Sequence, residues 1–212
     1  MTKIKAIIFD MDGVLIEAKE WHYEALNKAL GLFGMEISRF DHVSTYDGLP
    51  TSKKLDMLSI ERGLPRALHN FISDMKQIYT IEFIHTKCRP VFHHQYALAR
   101  LLREGYTLVV CSNAVKNSVE LMLNKARIIE HFKFILSNQD ITKAKPDPEI
   151  YLTAMERLKL NPSECLILED NNNGVKAALA SGAHLLKIHS INDVNYENIR
   201  NRINEIEREN ND

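Results

Sequence analysis

The sequence predicts an α/β protein, a Rossmann-like parallel sheet flanked by helices, with a small helical subdomain inserted. Three observations lead there. Five short apolar runs recur along the chain with helical patterns between them. Acidic, hydroxyl or amide residues stand directly after several of those runs. The stretch after the first run, residues 17–88, carries helical periodicity and no strong strand run.

The first run is Ile4 to Phe9, apolar and short, as expected of a strand buried on both faces. The second is Tyr106 to Cys111, the third Phe134 to Leu136, the fourth Cys165 to Leu168 and the fifth Ala183 to Ile188. All five are expected to be buried on both faces. Strand order does not follow from the pattern. Between the runs, Pro90 is placed to start a helix that Gly105 ends. A second helix is expected over residues 115–126. A third is capped by Asp147 with Pro148 in its first position. A fourth covers residues 173–181 before Gly182. In the insertion, Trp21, Ala25, Ala29 and Phe33 repeat every four residues. Leu55, Leu58 and Ile60 form a second patch, and Phe71, Met75, Ile78 and Ile81 a third. Residues 17–19 and 86–89 are candidate hinges. The polar tail from Asn192 is expected to form a peripheral helix around Ile199, Ile203 and Ile206 and then fray.

Hydrophobic residues make up 45% and charged residues 26% of the 212, ordinary for a globular protein of one domain or one domain with an insertion. A net charge of -1 gives no electrostatic case for nucleic-acid or anionic-membrane partners. Cys88, Cys111 and Cys165 form no close-spaced metal motif and are expected as buried thiols in a reducing compartment. The first apolar run meets aspartate too early for a signal peptide, and no run is long enough to span a bilayer. The expectation is a cytoplasmic monomer.

Open parallel sheets carry their chemistry beyond the carboxyl ends of the strands. Asp10 and Asp12 follow the first run, Ser112 and Asn113 the second, Lys145 the third, Glu169 and Asp170 the fourth. Asp10, Asp12, Glu169 and Asp170 are the oxygen donors a hard cation such as Mg2+ prefers. One carboxylate can attack phosphorus, a second can move the proton, and Ser112 and Lys145 can bind the transferred oxygens. Each group also has a plainer reading. DMDG can be a turn stapled by its own Asp side chains, Ser112 or Asn113 a helix cap, Lys145 a solvated loop lysine, and EDNNNG a turn.

Taken together, the blocks DMDGVLIE, CSNA, KAKPDPEIYL and ILEDNNNGVKAALASGA resemble, in order, the motifs of the haloacid dehalogenase superfamily of phosphotransferases. The resemblance spans residues 4–188. It points to the helical-cap branch that includes β-phosphoglucomutase and sugar-phosphate phosphatases. It implies a core of residues 1–16 and 89–212, with a cap of residues 17–88 closing over substrate. It implies Asp10 as nucleophile and Asp12 as general acid and base, the Asp12 backbone carbonyl touching the metal. Ser112 and Lys145 would bind phosphoryl oxygens, as would main-chain groups of Met11 and Asn113. Lys145 rather than Lys143 is the matching lysine. Glu169 and Asp170 would complete the Mg2+ site. In the cap, His22, the loop at Gly48 and Thr51, and Lys76 match substrate-contacting positions. Thr51 stands where the mutase has an arginine for a distal phosphate. Glu17, Ala18 and Asn171 also depart from the common pattern, but none removes a catalytic group. The implied activity is a magnesium-dependent phosphatase for a small phosphorylated metabolite, the alternative a phosphomutase. Asp12 argues against dehalogenation, and the surroundings of Lys19 do not match a phosphonatase.

Overall fold

A computed structural model describes residues 3–209 of the chain. Two compact units are present, one running up to Glu17 and resuming at Arg89, the other Ala18–Cys88.

The first unit is built on five parallel strands in the order β3-β2-β1-β4-β5. They are β1 (Ala6–Phe9), β2 (Thr107–Cys111), β3 (Phe134–Leu136), β4 (Cys165–Glu169) and β5 (His184–Lys187). The first, second and last are shorter than their apolar runs, because a run marks burial and a strand marks pairing. β1 sits at the centre, with Phe9 opposite Val110 on one side and Leu168 on the other. The order changes direction between β1 and β4, where such sheets open a crevice for ligands. The expectation that all five strands are buried on both faces holds for β1, β2 and β4 and fails at the edges. Phe134 and Ile135 of β3 and His184, Leu185 and Leu186 of β5 are half-buried, and Lys187 is exposed. An edge strand has one neighbour and only partial cover.

Alternation divides the central strands between two layers. Ala6, Ile8, Val109, Cys111, Cys165 and Ile167 pack with Ile150, Tyr151, Ala154 and Met155 of α7 (Glu149–Leu158) and with Ala177 and Ala178 of α8 (Asn172–Ala180). Elsewhere, α5 (Phe92–Arg103) packs on β2, and α9 (Tyr196–Glu209) packs on α5 and β5. α6 (Lys116–Lys125) follows β2. α9 buries Ile199, Ile203 and Ile206 completely, one face of a helix that is otherwise polar. The expected fraying beyond it lies outside the described residues. α5 starts at Phe92 rather than Pro90, since Val91 before it is extended. α7 begins at Glu149, with Pro148 in the capping position rather than the first helical one, although Asp147 accepts from the Glu149 N–H at 3.0 Å.

The second unit is helical throughout: α1 (Lys19–Gly31), α2 (Arg39–Asp41) running into a π-helical turn (His42–Tyr46), α3 (Thr51–Arg62) and α4 (His69–Lys87). Its core joins Leu26, Ala29, Leu30, Ile37, Tyr46, Leu55, Leu58, Leu64 and Ile72. The expected apolar faces are met in part: Ala25, Ala29, Leu55 and Leu58 are buried, while other members of the expected patches turn outward. α1 buries Ala25, Leu26, Ala29 and Leu30 and leaves Phe33 exposed beyond its end. Ile60 is 80% exposed, and Phe71 and Ile78 are exposed while Ile72, Thr80 and Ile84 are buried. A strict four-residue repeat drifts around a 3.6-residue helix, so it cannot mark one face over three turns. Gly63 ends α3 in the left-handed region at φ 72°. No helix among the described residues is long and apolar enough to cross a membrane.

Candidate active site

Register assembles the site. Phe9 pairs with Val110 and with Leu168, so the next residues, Asp10, Cys111 and Glu169, stand abreast at the carboxyl end of the three central strands. The Asp10 N–H donates to the Leu168 carbonyl at 3.0 Å, continuing the ladder to the first catalytic candidate. The chain then doubles back. The Met11 carbonyl accepts from the N–H groups of Leu15 and Ile16 at 2.9 Å each, and Gly13 adopts φ 85°, a conformation that favours glycine. DMDG is therefore a turn, and the turn presents Asp10 and Asp12.

Lys145 arrives from the loop between β3 and α7, across a cis peptide to Pro146. The Asn113 side chain holds that loop: its Oδ1 accepts from the Lys145 N–H at 3.1 Å, and its Nδ2 donates to the Lys145 carbonyl at 3.4 Å. The solvated-lysine reading fails for Lys145 and fits Lys143, whose side chain is 73% exposed. Lys145 Nζ donates to Asp10 Oδ1 at 2.6 Å, Glu169 Oε1 at 2.6 Å and the Cys111 carbonyl at 2.8 Å. An ammonium has three protons, and all three are used. Ser112 is buried; its Oγ accepts from the Ala114 N–H at 3.0 Å and closes a tight turn. The N-cap of α6 is Val115, so neither Ser112 nor Asn113 caps that helix. Asn171 does cap α8, accepting from the Gly174 N–H at 3.0 Å, which leaves Glu169 and Asp170 just before the helix.

Electrostatics follow from burial and crowding. Burial pushes the Asp10 carboxyl well above its usual range, and Glu169 adds to this; Lys145 offsets only part, with Asp170 and Asp12 pushing the same way. Burial pulls the Lys145 ammonium down, but Asp10 and Glu169 outweigh it and hold its pKa above the ordinary lysine value. Asp10, Glu169 and Asp170 offer oxygens within 4.8 Å of one another. This all-oxygen set, short of positive charge, fits a hard divalent cation, which would relieve the repulsion that raises Asp10. Glu169 is engaged already: Oε1 by Lys145 and Tyr151, Oε2 by the Asp170 N–H at 3.1 Å. The Asp12 carboxylate lies outside this cluster.

The structure thus brings together Asp10, Lys145, Glu169 and Asp170, with Ser112 and Asn113 beside them. In the helical unit, Lys76 Nζ lies 3.4 Å from His22 Nδ1, Gly48 adopts φ 70°, and Thr51 opens α3. Two residues escaped the sequence reading of the site. Tyr151 donates to Glu169 Oε1 at 2.5 Å, and Gly174 lies where any Cβ would overlap the Glu169 carboxylate. Both stand inside quoted motif blocks, Tyr151 six positions after Lys145, but nothing in the spacing shows what they touch.

Comparison with known proteins agrees with the geometry. A family profile described as haloacid dehalogenase-like hydrolase matches residues 7–188. The chain is 27% identical over 195 residues to a phosphorylated carbohydrates phosphatase of Thermotoga maritima, covering 90% of this chain and 88% of that protein. It is 27% identical over 193 residues to the β-phosphoglucomutase of Bacillus subtilis, covering 84% and 80%. Among solved structures, a β-phosphoglucomutase from Clostridium difficile superposes with TM-score 0.82 at 24% identity, covering 95% of this chain and 98% of that one.

Proposed function

The chain belongs to the haloacid dehalogenase-like hydrolases and is a phosphoric monoester hydrolase of that type; from this premise we propose that it is a Mg2+-dependent phosphatase of a sugar or polyol phosphate, working through an aspartyl-phosphate on Asp10. The observation that carries the reading is the buried Asp10–Lys145–Glu169 contact set beside Asp170. Lys145 holds one Asp10 oxygen and so fixes the rotation of the carboxylate, leaving Oδ2 to approach phosphorus. Attack by Asp10 forms the acyl phosphate as the bond to the leaving oxygen breaks. Asp12 gives that oxygen its proton, then takes one from the water that cleaves the acyl phosphate. Ser112 and main-chain groups of Met11 and Asn113 bind the phosphoryl oxygens in this scheme, and Lys145, its three protons already given to Asp10, Glu169 and the Cys111 carbonyl, acts on them through its charge. Asp10, Asp170 and Glu169, with the Asp12 carbonyl, would hold Mg2+, which would supply charge neutralisation and orientation of the phosphoryl group.

The preference for carbohydrate phosphates draws on the Thermotoga relative and on the helical-unit residues His22, Gly48, Thr51 and Lys76. The approach of Lys76 to His22 supports a second reading, a phosphomutase in which a sugar hydroxyl replaces water as acceptor. Thr51, without a cationic side chain, favours hydrolysis. A cytoplasmic, monomeric enzyme belongs to the same reading, supported by three buried thiols and near-zero charge.

The test is phosphate release from a panel of sugar and polyol phosphates, with Mg2+ or with EDTA, products followed by NMR. Metal-dependent release is expected. Isomerised sugar phosphate with little free phosphate would establish the mutase instead.

A further inference from the structure

We propose that Tyr151 is a positioning residue for the phosphoryl-transfer site, its hydroxyl fixing the Glu169 carboxylate and, through it, the Lys145 ammonium that orients Asp10. The inference rests on the phosphatase reading for its effect on rate, while its effect on Lys145 is independent of any reaction.

The argument starts from Lys145. Its four-carbon stem is flexible, and a lysine places charge without the fixed fork of arginine. Here it is held by three acceptors at the ends of three strands: Asp10 just past β1, the Cys111 carbonyl on β2 and Glu169 on β4. The Cys111 carbonyl is backbone and cannot turn. Asp10 is the group to be oriented. Glu169 is thus the one anchor with side-chain torsions of its own, and something must fix them. Two neighbours do. Gly174, in the first turn of α8, has no side chain, and that space holds the Glu169 carboxylate. Tyr151, in the first turn of α7, donates to Oε1, the same oxygen that accepts from Lys145.

Tyr151 also lies against the lysine itself, with Nζ 4.8 Å from the ring centroid. The ring gives the ammonium an electron-rich floor, and the hydroxyl ties down its counter-ion. A phenol facing a carboxylate oxygen at 2.5 Å is the donor of the pair. The competing account is that a buried tyrosine needs only some acceptor, and Glu169 is the one at hand. The two accounts differ in what removing the oxygen alone does, because phenylalanine keeps the ring beneath the ammonium.

The experiment compares wild type with Tyr151→Phe in metal-free protein carrying 15N-lysine. The Lys145 ammonium signal is assigned by its disappearance in Lys145→Arg. With three acceptors in place, its protons exchange slowly in wild type. In Tyr151→Phe the exchange is expected to accelerate and the signal to move. On the substrate found by the panel, kcat falls about 10-fold, as for other outer partners of a charged site, while KM stays unchanged. Unaltered exchange and kcat, with or without a lower Tm, overturn the proposal and leave Tyr151 a satisfied core residue. If wild type releases no phosphate from any compound, the phosphatase reading fails, and Lys145 exchange alone decides. If Tyr151→Phe does not fold, Tyr151→Met, which also removes the hydroxyl and leaves Glu169 intact, must give the same acceleration; slow exchange there overturns the proposal.

Discussion

Asp10 and Lys145 are a pair whose cost and use are the same fact. A lysine whose side chain is 2% exposed and a carboxylate 7% exposed have both left water, and direct contacts of 2.6 Å offset that loss. Asp10→Asn keeps an oxygen for Lys145 and removes the nucleophile. It is expected to fold, with a circular dichroism spectrum and Tm near wild type, and to release no phosphate. Lys145→Met acts in the opposite way. It strands Asp10 and Glu169 without a cation, and removing one partner of a buried ion pair costs about 3–5 kcal/mol. Urea unfolding with EDTA present measures this loss, and saturating Mg2+ is expected to return part of it. The placement of Asp10, Ser112, Lys145, Glu169 and Asp170 together beyond the strand ends was legible in the sequence, because acidic, hydroxyl and basic types recur after apolar runs. Tyr151 and Gly174 were not, because an aromatic or a glycine near a helix start is ordinary until its neighbour from another strand is known.

At the level of elements, the helical unit holds a titratable device of its own. His42 opens the π-helical turn and is 4% exposed. Burial lowers its pKa from 6.5 to about 4, and Lys54 pushes the same way; Asp47, whose Oδ1 is 4.0 Å from Nε2, opposes. Unfolding returns the imidazole to its ordinary value, so between pH 6.5 and about 4 the unfolded chain binds more protons than the folded one. The stabilisation from a neutral His42 is complete above the unfolded value and is lost as pH falls toward the folded one. The urea midpoint of wild type is expected to drop over that window more steeply than that of His42→Leu; equal slopes would show that His42 does not set it. The sequence pattern placed helices here and found Ala25, Ala29, Leu55 and Leu58 on their inner faces, but missed where those faces end. Phe33, Ile60, Phe71 and Ile78 turn outward because three helices share one core, and which side each presents is set by the others.

For the molecule as a whole, metal binding and stability are linked. A cation that binds the folded Asp10, Glu169 and Asp170 cluster, and not the unfolded chain, stabilises by about 2.7 kcal/mol at one hundred times its dissociation constant. Wild-type Tm is therefore expected to rise with Mg2+ concentration in the absence of substrate. Asp170→Asn, which removes one charge from the cluster, is expected to flatten that rise. A wild-type Tm indifferent to Mg2+, Mn2+ and Ca2+ would remove the metal from the account.

The division between chain and fold has a physical basis. Composition, the five apolar runs and the polar groups after them determined the α/β class and most of the charged site, because burial and backbone pairing leave periodic marks within one segment. Which strands are neighbours is a different kind of fact. Only the tertiary structure set β1 between β2 and β4, and that adjacency puts Asp10 abreast of Cys111 and Glu169. The same packing turned Lys145 from a loop residue into a buried ion-pair partner and brought α7 and α8 against Glu169. Local sequence records what each segment buries; it does not record against what, since that depends on contacts between separate elements, Lys145 with Asp10 across 135 positions and Tyr151 with Glu169 across 18.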